Sequence, residues 1–189
     1  MLSKDAAQAI LDQAELVCSA AEVAAAVARI AAEVNAQLAD SQPLVLAVMG
    51  GAVVFAGQLL PQLSFPLEFD YLHASRYRGQ TSGGALTWLV EPRAELAGRT
   101  LLVLDDILDE GITLAAIRER LLGRGAAAVY TAVLVEKELG REKPVAADFV
   151  GLALPDRYLF GCGMDAYGAW RNLPAIYALK EIPVGDAMK

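Results

Sequence analysis

Residues 101–113 read Leu101-Leu102-Val103-Leu104-Asp105-Asp106-Ile107-Leu108-Asp109-Glu110-Gly111-Ile112-Thr113. Four apolar residues run into two adjacent acids. A third acid follows at Asp109, and Gly111 and Thr113 stand where a helix would begin. A short, wholly apolar run is how a strand buried on both faces reads. The pattern therefore predicts a strand over Thr100–Leu104, a loop over Asp105–Gly111 and an amphipathic helix over Thr113–Leu122, stopped by Gly123 and Gly125. Arg118, Glu119 and Arg120 fall on the outer side of that helix. In an open α/β sheet, ligands bind at the carboxyl ends of strands. A helix N-terminus offers free N–H groups and positive dipole to an anion. Gly111 lets the backbone approach it, Thr113 adds a hydroxyl donor, and the acids can accept from ribose hydroxyls, directly or through hydrated Mg²⁺. A sugar phosphate suits this turn.

Outward from the turn, strands and helices alternate. Residues 3–39 place Ala, Leu, Val and Ile at three- and four-residue spacing and read as two helices, the second capped by Ser19. Pro43 closes the stretch. Leu44–Met49 is a second buried strand, followed by Gly50-Gly51 and a helix over Ala52–Leu60 ended by Pro61. Pro66–Ser75 reads as a strand, Arg76–Gly84 as a polar loop, and Ala85–Glu91 as the return strand. Ala126–Val135 is β-rich, Glu138–Ala146 is a charged loop, and Phe149–Leu154 and Ile176–Ile182 are further strands. Such alternation implies an α/β fold with a mostly parallel central sheet covered by helices. No repeat or linker divides the 189 residues, so a single domain is expected, with N-terminal helices over 1–40 and a core sheet over roughly 44–160.

Composition narrows the function. The chain is 56% hydrophobic and 21% charged, which excludes disorder. A net charge of −7 argues against non-specific nucleic-acid binding, which needs clustered Lys and Arg. No apolar run reaches the ~20 residues that span a bilayer, and the N-terminus lacks a signal-peptide core. No membrane association and a cytoplasmic location are therefore expected, with Cys18 and Cys162 as reduced, buried thiols. After the strand at 44–49 there is no G-x-G-x-x-G, so a dinucleotide-binding dehydrogenase is disfavoured.

The acid pair followed by Asp109-Glu110-Gly111-Ile112-Thr113 resembles the signature of type I phosphoribosyltransferases. The resemblance spans roughly residues 40–182 and is nearest to the hypoxanthine-guanine branch. It implies that Asp105 and Asp106 fix the ribose, that Asp109, Glu110, Gly111, Ile112 and Thr113 cradle the 5′-phosphate, and that Asp109 is catalytic through the purine N7. Glu110 departs from the family, where many members have Thr or Ser. A carboxylate repels phosphate, so Glu110 is expected to point away.

Four further segments carry the resemblance. Val48-Met49-Gly50-Gly51-Ala52 matches the pyrophosphate loop, with Met49, Gly50 and Gly51 as contacts and a cis peptide expected between Val48 and Met49. Ser75–Gly84 matches a catalytic lid, with Arg76 and Tyr77 at its working pair; His73, at the preceding strand end, is read as a packed or surface residue. Lys137 matches a lysine that donates to the purine 6-oxo group. Pro155–Tyr167 matches the base-binding segment: Tyr158 stacks on the purine, backbone at Leu159 reads its edge, Asp165 helps hold metal, and Arg171 meets pyrophosphate. Residues 155–189 and the chain ends are expected to form a small hood lobe. The implied substrates are phosphoribosyl pyrophosphate and a 6-oxopurine, and the cofactor is Mg²⁺ held by Asp105, Asp106 and Asp165. A homodimer or homotetramer is expected. A xanthine-preferring transferase and a nucleotide-sensing regulator of the same fold are the alternatives; the latter would need a partner or RNA surface, and no basic tract is visible.

Overall fold

In a computed structural model, residues 2–76 and 86–180 are described. Leu44–Val48 forms strand β2, and all five of its residues are buried. Strict alternation sorts them. Val45 and Ala47, with Leu102 and Leu104 beside them, face one layer of helices; Leu44, Leu46 and Val48, with Leu101 and Val103, face the other. The first layer is α2 (Ala20–Leu38) and α3 (Val53–Leu59), which contribute Val27, Ile30, Val34, Phe55 and Leu59. The second is α4 (Ile112–Gly123), which contributes Leu114, Ile117 and Leu121. Each of these large side chains contributes roughly 1.5–3 kcal/mol by leaving water.

The central sheet has the order β4-β3-β2-β5-β6-β7. Here β3 is Glu68–Arg76, β4 Leu86–Val90, β5 Thr100–Leu108, β6 Ala128–Glu138 and β7 Phe149–Pro155. All neighbours are parallel except the hairpin β3–β4. The expected mostly parallel sheet between two helical layers is what forms.

The N-terminal stretch differs from the reading of two helices alone. Between α1 (Lys4–Asp12) and α2 lies a strand, β1 (Glu15–Cys18). Its burial rises from exposed Glu15 and Leu16 to buried Cys18 without alternating, and its pairing shifts register between Leu16 and Cys18, so no period of two marks it against the surrounding helical spacing. It pairs antiparallel with β9 (Ile176–Ala178), which pairs in turn with β8 (Leu159–Phe160). These three strands make a second, small sheet beside the main one. Ser19 does cap α2, in a full capping box with Glu22. Both cysteines are buried, and burial pushes the Cys162 thiol up to about 11. No helix of the described residues is long and apolar enough to cross a membrane.

A second difference bears on the site. The strand expected to stop at Leu104 runs on to Leu108, because Asp105, Ile107 and Leu108 keep their ladder partners Val133, Val135 and Glu136 on β6. The acids therefore project from a strand, not from a loop. The turn is only residues 109–111.

Candidate active site

The turn after β5 is set by Gly111. Its φ of 80° lies in the left-handed region, and a Cβ there would press on Lys143 Cβ and Pro144 Cδ at 3.3 Å. Glycine meets both demands. From Gly111 the chain enters α4, whose first bond runs from Ala115 N to the Gly111 carbonyl at 2.9 Å. The N–H groups of Ile112, Thr113 and Leu114 precede that bond and have no partner within the helix. Glu110 is ion-paired with Arg141 at 3.1 Å.

Asp105 is buried to 9% exposure, and the N–H of Asp106 donates to its carboxylate at 3.0 Å. Burial, then the charge of Asp106, holds the Asp105 carboxyl well above its ordinary value. Burial raises Asp106 too, opposed by its hydrogen bond with Asp105 and the nearby charge of Arg171. A buried carboxyl and a half-buried one, with so little compensating charge, constitute a site that favours a cation.

Two other segments close on this pair. A Cβ on Gly51 would collide with the Asp106 carboxylate, and one on Gly163, whose φ is 103°, would collide with the Gly51 carbonyl. The 49–51 loop, the acids of β5 and the 161–165 turn are thus in contact through positions that only glycine can fill. The cis peptide expected between Val48 and Met49 lies one bond later, between Met49 and Gly50. Met49 N still donates to Leu72 O at 2.7 Å, so the ladder of β2 with β3 holds the preceding peptide in strand geometry.

Arg171 donates to the Gly163 carbonyl at 2.6 Å and pairs with Asp165 at 2.5 Å; the other Asp165 oxygen accepts from Gly168 N at 2.7 Å. With both oxygens engaged, Asp165 does not complete a ligand cluster: among the described residues no three His, Cys, Asp or Glu side chains are gathered to hold a metal. Tyr158 is 44% exposed, donates its hydroxyl to the Asp165 carbonyl at 3.3 Å, and stacks on Tyr167 with ring centres 5.7 Å apart and planes at 18°. Leu159 begins β8 with its side chain buried. Its neighbour's carbonyl, Tyr158 O, accepts from Leu179 N at 3.0 Å.

Lys137, near the end of β6, is 12% exposed and lies 3.3 Å from Asp109 and 3.4 Å from Asp156. The structure therefore brings Asp105, Asp106, Gly51, Asp165 and Arg171 to one place and Asp109 to Lys137 at another point along the same strand ends. Arg76 ends β3, and Tyr77 lies outside the described residues. His73 is half-buried on β3 opposite Val90. Asp156, Gly163 and Tyr167 had no assigned role in the sequence reading. Asp156 sits beside Tyr158 in the quoted base segment, which is the signal that could have found it.

Comparison with known proteins gives the same answer. Residues 18–167 match the model of the phosphoribosyl transferase domain. The hypoxanthine-guanine-xanthine phosphoribosyltransferase of Tritrichomonas foetus is 36% identical over 150 residues, covering 79% of this chain and 82% of that protein. The hypoxanthine-guanine phosphoribosyltransferase of Bacillus subtilis is 34% identical over 149 residues, covering 78% and 83%. A crystal structure of a hypoxanthine-guanine phosphoribosyltransferase from Bacillus anthracis superposes with a TM-score of 0.82 at 26% identity, covering 88% and 98%. On fold, site geometry and similarity together, this chain belongs to the phosphoribosyltransferase family, in its hypoxanthine-guanine branch.

Proposed function

We propose that the chain transfers ribose 5-phosphate from phosphoribosyl pyrophosphate to N9 of hypoxanthine or guanine, releasing pyrophosphate. One observation carries the reading. The Lys137 ammonium and the Asp109 carboxylate meet at 3.3 Å, at the point where β6 ends and the turn into α4 begins. A donor for a 6-oxo group and an acceptor for the adjacent N7 proton are thus side by side, next to the first N–H groups of α4, which have no partner within the helix and suit a 5′-phosphate.

In this mechanism the anomeric carbon loses pyrophosphate and gains the purine N9. Asp109 takes up or steadies the proton at N7 as N9 attacks. Lys137 donates to the 6-oxo oxygen, and adenine's amino group cannot accept that bond. Tyr158 offers its ring to the purine face, and the Leu159 backbone its polar edge. The 109–113 backbone binds the 5′-phosphate, while Met49, Gly50, Gly51 and Arg171 receive pyrophosphate. Holding both substrates in one geometry supplies much of the remaining effect.

Mg²⁺ fits the donor set: Asp105 and Asp106 are hard oxygen ligands, and this ion takes one or two carboxylates, with water and substrate oxygens filling the rest. When bound, it supplies neutralisation of charge on the leaving pyrophosphate. Asp165 takes part from the Arg171 side, by orienting that guanidinium. Assembly as a homodimer or homotetramer is part of the same proposal. Val53, Phe69, Tyr71 and Leu89, all exposed on the single chain, support it.

The test is a base panel of hypoxanthine, guanine, xanthine and adenine with phosphoribosyl pyrophosphate and Mg²⁺, following pyrophosphate release. Turnover with hypoxanthine and guanine is expected. Adenine as the preferred base would overturn the role of Lys137, and no turnover with any base would overturn the reading.

A further inference from the structure

Lys143 lies in the charged loop between β6 and β7, where a lysine would ordinarily be solvated. Its side chain is only 8% exposed. An ammonium has three N–H donors, and this one has three acceptors: the Lys137 carbonyl at 2.6 Å, the Leu108 carbonyl at 3.2 Å and Glu136 Oε1 at 3.1 Å. Two of these acceptors are telling. Leu108 is the residue before Asp109, and the other carbonyl belongs to Lys137 itself.

We infer that Lys143 is a positioning residue that staples the base-facing end of β6 to the phosphate turn, fixing the spacing between Lys137 and Asp109. The inference rests on the roles given to those two residues above. Lys143 touches neither substrate. It acts through the backbone of both residues that do.

Physical reasons favour a staple over simple packing. An apolar side chain of similar volume would fill the space without the cost of drying an ammonium. What only the ammonium provides is simultaneous hydrogen bonding to two carbonyls on different strands. Those strands are already paired in register up to Leu108 and Glu136. Beyond that point the ladder ends, and Lys143 bridges the gap. The Lys143 Cβ also lies 3.3 Å from where a Cβ on Gly111 would be, so the same residue backs the turn.

Lys143→Met keeps the length and removes the charge. Steady-state kinetics should show the KM for hypoxanthine rising about tenfold, the scale of loss from a small misplacement, with the KM for phosphoribosyl pyrophosphate within about twofold. Amide exchange at residues 109–111 should quicken. The double variant Lys143→Met/Glu136→Gln, which removes the stranded carboxylate, should recover thermal stability yet keep the raised base KM. An unchanged base KM in the folded double variant, or base and donor KM rising by the same factor, would overturn the staple. The wild-type arm separates the two proposals: no purine turnover there would sink the functional reading, while unchanged exchange at 109–111 in Lys143→Met would sink the staple.

Discussion

Lys137 Nζ lies 3.3 Å from Asp109 Oδ1 and 3.4 Å from Asp156 Oδ1, so one nearly buried ammonium is shared by two carboxylates. Both carboxylates are about half exposed, and the lysine is not. The two contacts therefore hold the Lys137 side chain in one direction. Lys137→Met should lower kcat/KM for guanine by about 10- to 100-fold, the worth of a hydrogen bond from a charged donor. Competition assays should show the preference over adenine shrinking. Retention of full discrimination would remove Lys137 from base selection.

Asp109→Asn keeps the size of the side chain and its place beside the turn. Turnover should fall by roughly 10²-fold or less, the lower range for acid–base assistance, with the KM for phosphoribosyl pyrophosphate within about twofold. Stopped-flow or steady-state kinetics check both quantities. Unchanged turnover would take Asp109 out of the mechanism.

Glu110 stands where a carboxylate beside phosphate should be repulsive, yet it pairs with Arg141 on the β6–β7 loop. Exposed pairs of this kind contribute roughly 0–1 kcal/mol. Glu110→Ala should therefore leave stability nearly unchanged and the donor KM within a few-fold. A large rise in that KM would mean that Glu110 contributes to phosphate binding.

The acid pair predicts a pH signature. Burial holds the Asp105 carboxyl above its ordinary value, so the folded chain retains a proton that the unfolded chain has already lost. Stability from this group is full below the ordinary carboxylate range and is lost as pH rises through the folded-state value. Asp105→Asn should raise Tm at about pH 8 by some 2–4 °C for each ~1 kcal/mol relieved, and should give no gain near pH 3. Calorimetry at both pH values measures this. An equal shift at each would contradict it.

Gly163→Ala should be harsher than an ordinary surface change, since it combines a φ of 103° with a collision against the Gly51 carbonyl. A cost of about 1–3 kcal/mol in stability is expected, together with weaker donor binding, because the 49–51 loop must shift. Thermal melts and the donor KM report the two effects. A variant matching wild type in both would show that the contact is not needed.

Much of this was legible in the chain. The apolar runs at 44–48 and 101–104 announce buried parallel strands, and Gly111 announces the turn into α4, because both signals are local. The small sheet was legible only at 176–178, inside the strand expected over 176–182. Its strands at 15–18 and 159–160 were not, since a two-residue strand such as Leu159–Phe160 has no period of its own. The run-on of β5 to Leu108 was missed because two acids read as a strand end, whereas their backbones still pair with β6. Lys143 looked like one more charge in a polar loop. Only its burial and its three acceptors show otherwise. The Tyr158–Tyr167 stack needed the left-handed turn at Tyr167, φ 52°, which no side-chain pattern signals.

The central claim is that an anion sits in the turn between Leu108 and α4. Diffraction from crystals soaked with guanosine monophosphate tests it directly. The account predicts phosphate density on the N–H groups of residues 110–113, with the ribose beside Asp105 and Asp106. Phosphate bound elsewhere, with that turn left empty, would contradict it.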